Sequence, residues 1–457
     1  MATLKYSSTT TMMFMFYSSC LLLASFSCFP DKIQGGSTCK PSTVHRERPS
    51  TLEVSYSYGP CSKYSTHAPP LTHILSSDQS RVESIQARFR ANTNKVDNGT
   101  PNNNNKFKDM KVEVPLQAGD SYNSGLLLVT IGLGSQNTTL HVALDTGSDL
   151  TWTQCQRCRR SCYIQNDTMF DPNISTSYSG IPCNSHLCSL YNENYKDYGI
   201  VYGDGSSSVG WLGQDSLALT PNDVIQNYTF GCGQNNTGFS DTTAGLIALG
   251  RGDLSFVNQT KEKYQQYFSH CFPSNPDSTG YLTLGTNSQK NNRLNFISTY
   301  SSKGSSNYFF NITGISVGGK LVEVDPFASA FIDSGTIITR LQPKVYNHTR
   351  DVFKDWMTKY PFAGSYSILD TCYDFSNYAN TKIDFPPILF KFSGDVTVDL
   401  AKSGVLFVVN STMSCLAFAG NQDDADPMIF GNIQQRTFEV VYDVANEKLG
   451  FVSGGCE

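Results

Sequence analysis

An all-β body of two lobes is what this sequence predicts, on three observations. From Lys111 onward the chain is a succession of short β-branched and aromatic runs broken by Gly, Asn, Asp and Ser; helical periodicity is scarce; and one motif recurs near the start of each half. The clearest strand candidates are Leu126–Ile131, Leu140–Leu144, Tyr281–Leu284, Ile315–Val317, Val405–Val409 and Phe438–Tyr442. Helical patterns in the body are confined to Ser255–Phe268 and Pro343–Lys359, and the polar stretch Asn287–Ser306 marks the expected seam between lobes. Composition agrees. Hydrophobic residues make up 39% of the 457 and charged residues 16%, which supplies core material and excludes a disordered polyelectrolyte; 36 Gly and 19 Pro exclude a long coiled coil.

In chain order, residues 1–28 read as a signal peptide. After Lys5 comes an uncharged apolar run from Met12 to Phe29, with small residues at Ala24 to Ser27 and too short an apolar core to span a membrane. Residues 29–110 read as a propeptide, polar and containing the run Asn102 to Asn105, with one modest helical face (Ile74, Val82, Ile85, Phe89). Residues 111–298 and 299–457 are the two expected lobes. Charge divides the same way: residues 1–110 carry 12 Lys/Arg and 7 Asp/Glu, a net of +5, and residues 111–457 carry 22 and 32, a net of −10. The basic part is the leader and not the body, the reverse of a nucleic-acid binder.

Ten of the 14 cysteines fall in the body, at Cys155, Cys158, Cys162, Cys183, Cys188, Cys232, Cys271, Cys372, Cys415 and Cys456. An even number in an exported chain reads as disulfides, and the run Cys155, Cys158, Cys162 lacks a second ligand pair at zinc spacing. Asn-x-Ser/Thr acceptors occur at Asn98, Asn137, Asn166, Asn173, Asn227, Asn235, Asn258, Asn311, Asn347 and Asn410, consistent with a secreted glycoprotein of the apoplast or extracellular space, or of the vacuole.

The repeated motif is an apolar strand running into an acid and a small turn. Val142 to Leu144 lead into Asp145, Thr146, Gly147 and Ser148; Ala330 to Ile332 lead into Asp333, Ser334, Gly335 and Thr336. A single Asp-Thr/Ser-Gly is an ordinary turn. Two, each after an apolar strand and each followed by a hydroxyl residue, suggest a duplication that brings two carboxylates together. Two acids at one site cannot both ionise freely, so one keeps a proton while the other acts as a base. Such a pair can activate a water and protonate a carbonyl or a leaving amine, the chemistry of peptide hydrolysis.

On these residues the chain resembles the pepsin-like aspartic proteases, and more closely their plant nepenthesin-type branch, over Val112 to Cys456. Trp152 after the first Asp, the flap-like Tyr202 to Ser206, and the segments Gly245 to Gly250 and Ile429 to Asn432 add to the match, as do Leu52 to Val54, Gly59 to Ser62 and Asp78 to Val82 in the leader. The resemblance implies a bilobal fold with the active-site cleft between the lobes, and a Cys-rich insertion and flap in the N-terminal one. It implies Asp145 and Asp333 as the catalytic pair holding the nucleophilic water, and Tyr202 as the flap residue that orders the bound peptide. Thr146, Ser148, Ser334 and Thr336 would fix the carboxylates by donating hydrogen bonds, with Trp152 beside them. Cys372–Cys415 and then Cys155–Cys162 are the implied disulfides. The branch's extra cysteine just before the flap is missing here, where Asp197 and Tyr198 stand.

The expected function is therefore a secreted aspartic endopeptidase made as a zymogen, needing no metal or other cofactor. Its partners would be protein or peptide substrates and its own propeptide; it would act as a monomer, with no nucleic acid and no membrane anchor. A basic propeptide on an acidic body suggests release in acid, with cleavage near Asn98 to Lys111. The alternative is a catalytically silent binding or inhibitor protein of the same fold. Gly314 to Lys320 imitates a phosphate loop, but Leu321 follows in place of Ser or Thr, so a hairpin turn is expected; Arg251-Gly252-Asp253 is expected to be a structural turn.

Overall fold

A computed structural model describes residues 38–42, 50–64, 68–96, 126–182, 198–239, 242–286, 294–302, 305–378, 381–436 and 438–453. The segment read as a signal peptide, the expected cleavage zone, Asn98, Cys183, Cys188 and Cys456 lie outside the described residues.

Alternating apolar residues make strands, and the strands assemble into sheets of 14, eight and four. Each expected run is a strand or most of one: Leu127–Leu133, Thr138–Asp145, Gly280–Leu284, Tyr308–Val317, Leu406–Val408 and Phe438–Asp443. The helix at Pro343–Trp356 forms, extended by a 3-10 turn at Met357–Lys359, and its Val345, Tyr346 and Phe353 face the core. Ser255–Phe268 differs. Only Phe256–Gln259 and Lys261–Tyr264 are helical, because Gln265 and Gln266 adopt φ of 58° and 53°, and the chain leaves directly as the strand Tyr267–Cys271. The polar seam also contains a strand, Asn295–Ser298, hydrogen-bonded to Lys448–Ser453. Gly314 to Lys320 is a hairpin: Val317 pairs with Lys320 across Gly318 and Gly319, both at positive φ.

The large sheet contains a strand from the leader. Thr51–Tyr56 lies antiparallel between Gly280–Leu284 on one side and Leu127–Leu133 on the other, with Val54 opposite both Gly280 and Val129. Leu52, Val54 and Tyr56 point into the core while Thr51, Glu53 and Ser55 alternate outward. The leader is thus built into the body's main sheet, and a disulfide between Cys39 and Cys61 braces it. Among the described residues no helix is long and apolar enough to cross a membrane.

The disulfides correct one expectation. Cys372 is bonded to Cys415, its register partner on the adjacent strand. Cys155, however, is bonded to Cys232 and not to Cys162. The reason is strand pairing: Trp152–Gln154 runs parallel to the strand holding Cys232, with Thr153 opposite Cys232, which brings the two sulfurs together. Cys162 closes a small loop with Cys158 instead. Of the acceptor asparagines, Asn137, Asn166, Asn173, Asn227, Asn347 and Asn410 are exposed; Asn235, Asn258 and Asn311 are half-buried.

Removing methylenes from the leader strand leaves a cavity in the sheet's core. Leu52→Ala in the full chain is expected to cost about 2–5 kcal/mol, read as a lower denaturant midpoint with an unchanged slope.

Candidate active site

Both acids end an apolar strand, and both halves fold around them in the same way. Thr138–Asp145 runs parallel to Gly245–Ala248, with Asp145 opposite Ala248; Ser329–Ile332 runs parallel to Met428–Phe430, with Ile332 opposite Phe430. Trp152 then pairs antiparallel with Leu246, and Arg340 with Ile429. The apolar-Gly segments therefore lie beside the acid-bearing strands and hold the loops: Leu249 N–H donates to the Asp145 carbonyl, and Asp333 N–H to the Phe430 carbonyl.

The two loops meet at their tips. Thr146 N–H donates to Ser334 Oγ and Ser334 N–H donates to Thr146 Oγ1, each at 3.1 Å. Thr146 and Ser334 are fully or almost fully buried. This corrects the role expected of them: they bind each other across the lobes and not the carboxylates. What holds the carboxylates is local. Gly147 N–H donates to Asp145 Oδ1 (3.0 Å), Gly335 N–H to Asp333 Oδ1 (2.9 Å), and Thr336 Oγ1 to Asp333 Oδ2 (2.6 Å). Ser148 Oγ is buried near Asp145 and favours its anion, but closes no hydrogen bond of good geometry. A Cβ added to Gly147 would stand 3.4 Å from an oxygen of each acid, so the pair converges on that glycine.

The flap lies over this pair. Tyr198–Val201 and Ser207–Thr220 form its hairpin, and Tyr202 sits at the bend, its hydroxyl accepting from Trp152 Nε1 at 2.7 Å. Phe239 packs edge-on against both rings.

The cleft beneath the flap is filled by the leader. Its helix spans Leu71–Val96, longer than the apolar face read from sequence, and contacts recur every three to four residues along one side. Ile74 and Leu75 pack on Ile337 and Ile338; Val82 joins Phe309, Phe331 and Ile429; Phe89 meets Phe309 edge-on and Phe331 at a tilt. Gln86 donates to Asn421, and Arg90 pairs with Asp426. Between these, Arg81 reaches the dyad: Nε and Nη2 donate to Asp333 at 3.1 and 3.0 Å, and Nη2 stands 3.5 Å from Asp145. Gly203 and Gly335 make the room, since a Cβ on either would collide with Arg81 at 2.6 or 2.3 Å. Arg81 falls within Asp78 to Val82, which the resemblance picks out in the leader, but nothing in the sequence gives it a place at the dyad.

The two acids are electrostatically unequal. Burial pushes the Asp145 carboxyl above its usual range, Arg81 opposes that, and the neighbouring Asp333 adds to it. Burial acts on Asp333 in the same direction, but the charge and hydrogen bonds of Arg81, with those of Thr336 and Gly335, outweigh it and hold Asp333 below the usual range. A surface hollow of about 260 Å³ bordered by Val224, Gln259 and Lys263 shares no residue with this site.

Two mirrored acid loops, joined tip to tip under a tyrosine flap between β lobes, define an aspartic-protease framework. Comparison agrees. The family models described as Xylanase inhibitor N-terminal and Xylanase inhibitor C-terminal match residues 127–286 and 307–453. Aspartyl protease AED1 of Arabidopsis thaliana is 40% identical over 431 residues, covering 92% of this chain and 89% of that one. Aspartic proteinase nepenthesin-1 of Nepenthes gracilis is 33% identical over 365 residues, covering 76% and 80%. Among solved structures, conglutin gamma, a basic 7S globulin from lupine seeds, superposes with a TM-score of 0.59 at 20% identity, over 72% of this chain and 92% of that one; at that identity it speaks for the fold alone. The chain belongs to the pepsin-like aspartyl protease family, in its plant nepenthesin-type branch.

Ser334→Ala removes one acceptor and leaves the buried Thr146 N–H unpaired. The expected loss is about 1–3 kcal/mol, read by thermal unfolding, with the larger effect on any activity, because the loop tips are no longer joined.

Proposed function

We propose that this protein is a secreted aspartic endopeptidase made as an inactive precursor. The observation that carries the proposal is the unequal pair Asp145 and Asp333 under the Tyr202 flap, with Arg81 of the leader bound across it. With Arg81 gone, Asp333 keeps two good donors, Thr336 and Gly335, against one for Asp145. Asp333 is then the anion and Asp145 the acid. Asp333 takes a proton from a bound water as its oxygen attacks the peptide carbonyl carbon, and Asp145 donates its proton to the carbonyl oxygen. The tetrahedral diol collapses as Asp145 takes back a hydroxyl proton, Asp333 gives its proton to the nitrogen and the C–N bond breaks, which restores both acids. Residues 1–28 would direct export, and the exposed acceptor asparagines would carry glycans.

The leader supplies the inactive state by occupying the water's place with a guanidinium. Its release in acid follows from the sign of the Asp333 shift. A carboxyl depressed by docking adds its full stabilisation above the ordinary carboxylate range and loses it as pH falls through the depressed value. Asp78 has the opposite sign: burial raises its carboxyl although Arg340 and the Ile337 and Ile338 amides favour its anion, so its contribution is kept in acid and fades as pH rises. Acid sensitivity therefore resides in the Arg81–Asp333 contact.

Two measurements test this reading. The processed protein should cleave a denatured protein substrate in acid, sensitive to pepstatin, and Asp333→Asn should lower the rate by roughly 10²–10⁴-fold or more. A folded, processed chain that cleaves nothing at any pH would point instead to a catalytically silent binding or inhibitor protein. Arg81→Met in the proprotein should shift self-processing, followed by gel against pH, toward neutrality; an unchanged pH profile would refute the role given to Arg81.

A further inference from the structure

The leader helix fills a second polar site beside the dyad. Asp78, one turn before Arg81, accepts hydrogen bonds from Ile337 N–H (2.6 Å), Ile338 N–H (3.3 Å) and Arg340 Nη2 (2.9 Å). Arg340 is fully buried, and among the described residues Asp78 is the one carboxylate paired with it. Its Nε and Nη1 are buried as well and meet no acceptor. The body thus builds a cradle of two amides and a guanidinium whose anion comes entirely from the leader.

The duplication sharpens the point. Arg340 follows Asp333 by seven residues, as Trp152 follows Asp145, and each lies antiparallel to the equivalent apolar strand. Trp152 spends its polar group on Tyr202, a residue of the body. Among the described residues of the body, Arg340 has no such partner. A guanidinium does not give up its proton, and a buried charge without a counter-charge is costly. Once the helix leaves, the cradle is open at the cleft and lacks its anion.

We propose that in the processed protein Ile337 N–H, Ile338 N–H and Arg340 bind the side-chain carboxylate of an Asp or Glu in the substrate peptide. The inference rests on the peptidase reading above and adds to it a substrate class: peptides with an acidic residue close to the cleaved bond. The helix spacing fixes how close. Asp78 and Arg81 are three residues apart, about 4.5 Å along a helix, and an extended peptide advances about 3.3 Å per residue. The acidic side chain therefore belongs one to two residues from the bond that is cut. Gln and Asn match the shape but bring no charge to the guanidinium, so they fill the cradle less well.

The test uses the processed protein at about pH 5, where Asp and Glu side chains in a peptide are ionised. Quenched fluorescent peptides carry a single Glu or Asp walked through about four positions on each side of the cleaved bond, each with a matched Gln or Asn peptide, the scale of a charge-assisted hydrogen bond setting the effect. At one position, one or two residues away, the acidic peptide should show kcat/KM roughly tenfold higher or more. Arg340→Gln should bring that ratio close to one, and Arg340→Lys should lower it less. Cleavage with a flat ratio at every position overturns the inference and leaves the peptidase reading standing, as does a preference that survives in Arg340→Gln. Silence on every peptide overturns the peptidase reading itself and the inference with it. If the Arg340 variants do not fold, the wild-type position scan decides alone.

Discussion

Everything in the site depends on two hydrogen bonds exchanged between Thr146 and Ser334. Each loop tip donates its backbone N–H to the other's hydroxyl, so neither tip is left with an unpaired buried donor and neither can move alone. That contact fixes the separation of two carboxylates borne on different lobes. Their inequality follows from it: close acids share a proton unevenly, and the charge and hydrogen bonds that Arg81 brings to Asp333, with those of Thr336 and Gly335, decide which one keeps the charge.

The leader exploits both consequences of that geometry. A pair of close acids in a buried cleft is a strong site for a cation, and Arg81 occupies it. The amide groups that follow the second acid form a site for an anion, and Asp78 occupies that. Opposite charges one helical turn apart on the leader thus match opposite charges on the body, a pattern that sets the register of the helix along the cleft. Between them Ile74, Leu75, Val82 and Phe89 supply the apolar burial, and Leu52, Val54 and Tyr56 anchor the preceding strand in the main sheet. Apolar surface holds the leader, and ionic contacts position it.

The halves of the body are equivalent in backbone but have been put to different uses. Seven residues after its acid, the N-terminal half carries Trp152, which ties down the flap that closes the cleft. The C-terminal half carries Arg340 at the same place, facing the leader. One half controls access while the other presents charge, which is how a duplicated fold comes to bind an asymmetric chain.

By itself the sequence determined the strands, the lobes and the acids. Alternation of apolar residues between turn formers is local and survives in any context, and Asp145 and Asp333 stand out because each ends an apolar run in a repeated frame. Cys372 and Cys415 were legible through resemblance. What only the tertiary structure decided are matters of which distant segments meet. Cys155 faces Cys232 because two strands pair in parallel, 77 residues apart in the chain. Thr146 and Ser334 bind each other because the lobes close tip to tip, although their neighbours in sequence are the acids. Asp78 and Arg81 stand out only as part of a leader segment matched by resemblance, and Arg340 not at all, since a charged residue on a helix or strand reads as surface until its partner is known. The physical reason is the same throughout: periodicity encodes which face of an element is buried, but the partner of a buried charge is set by chain crossings that no local pattern records.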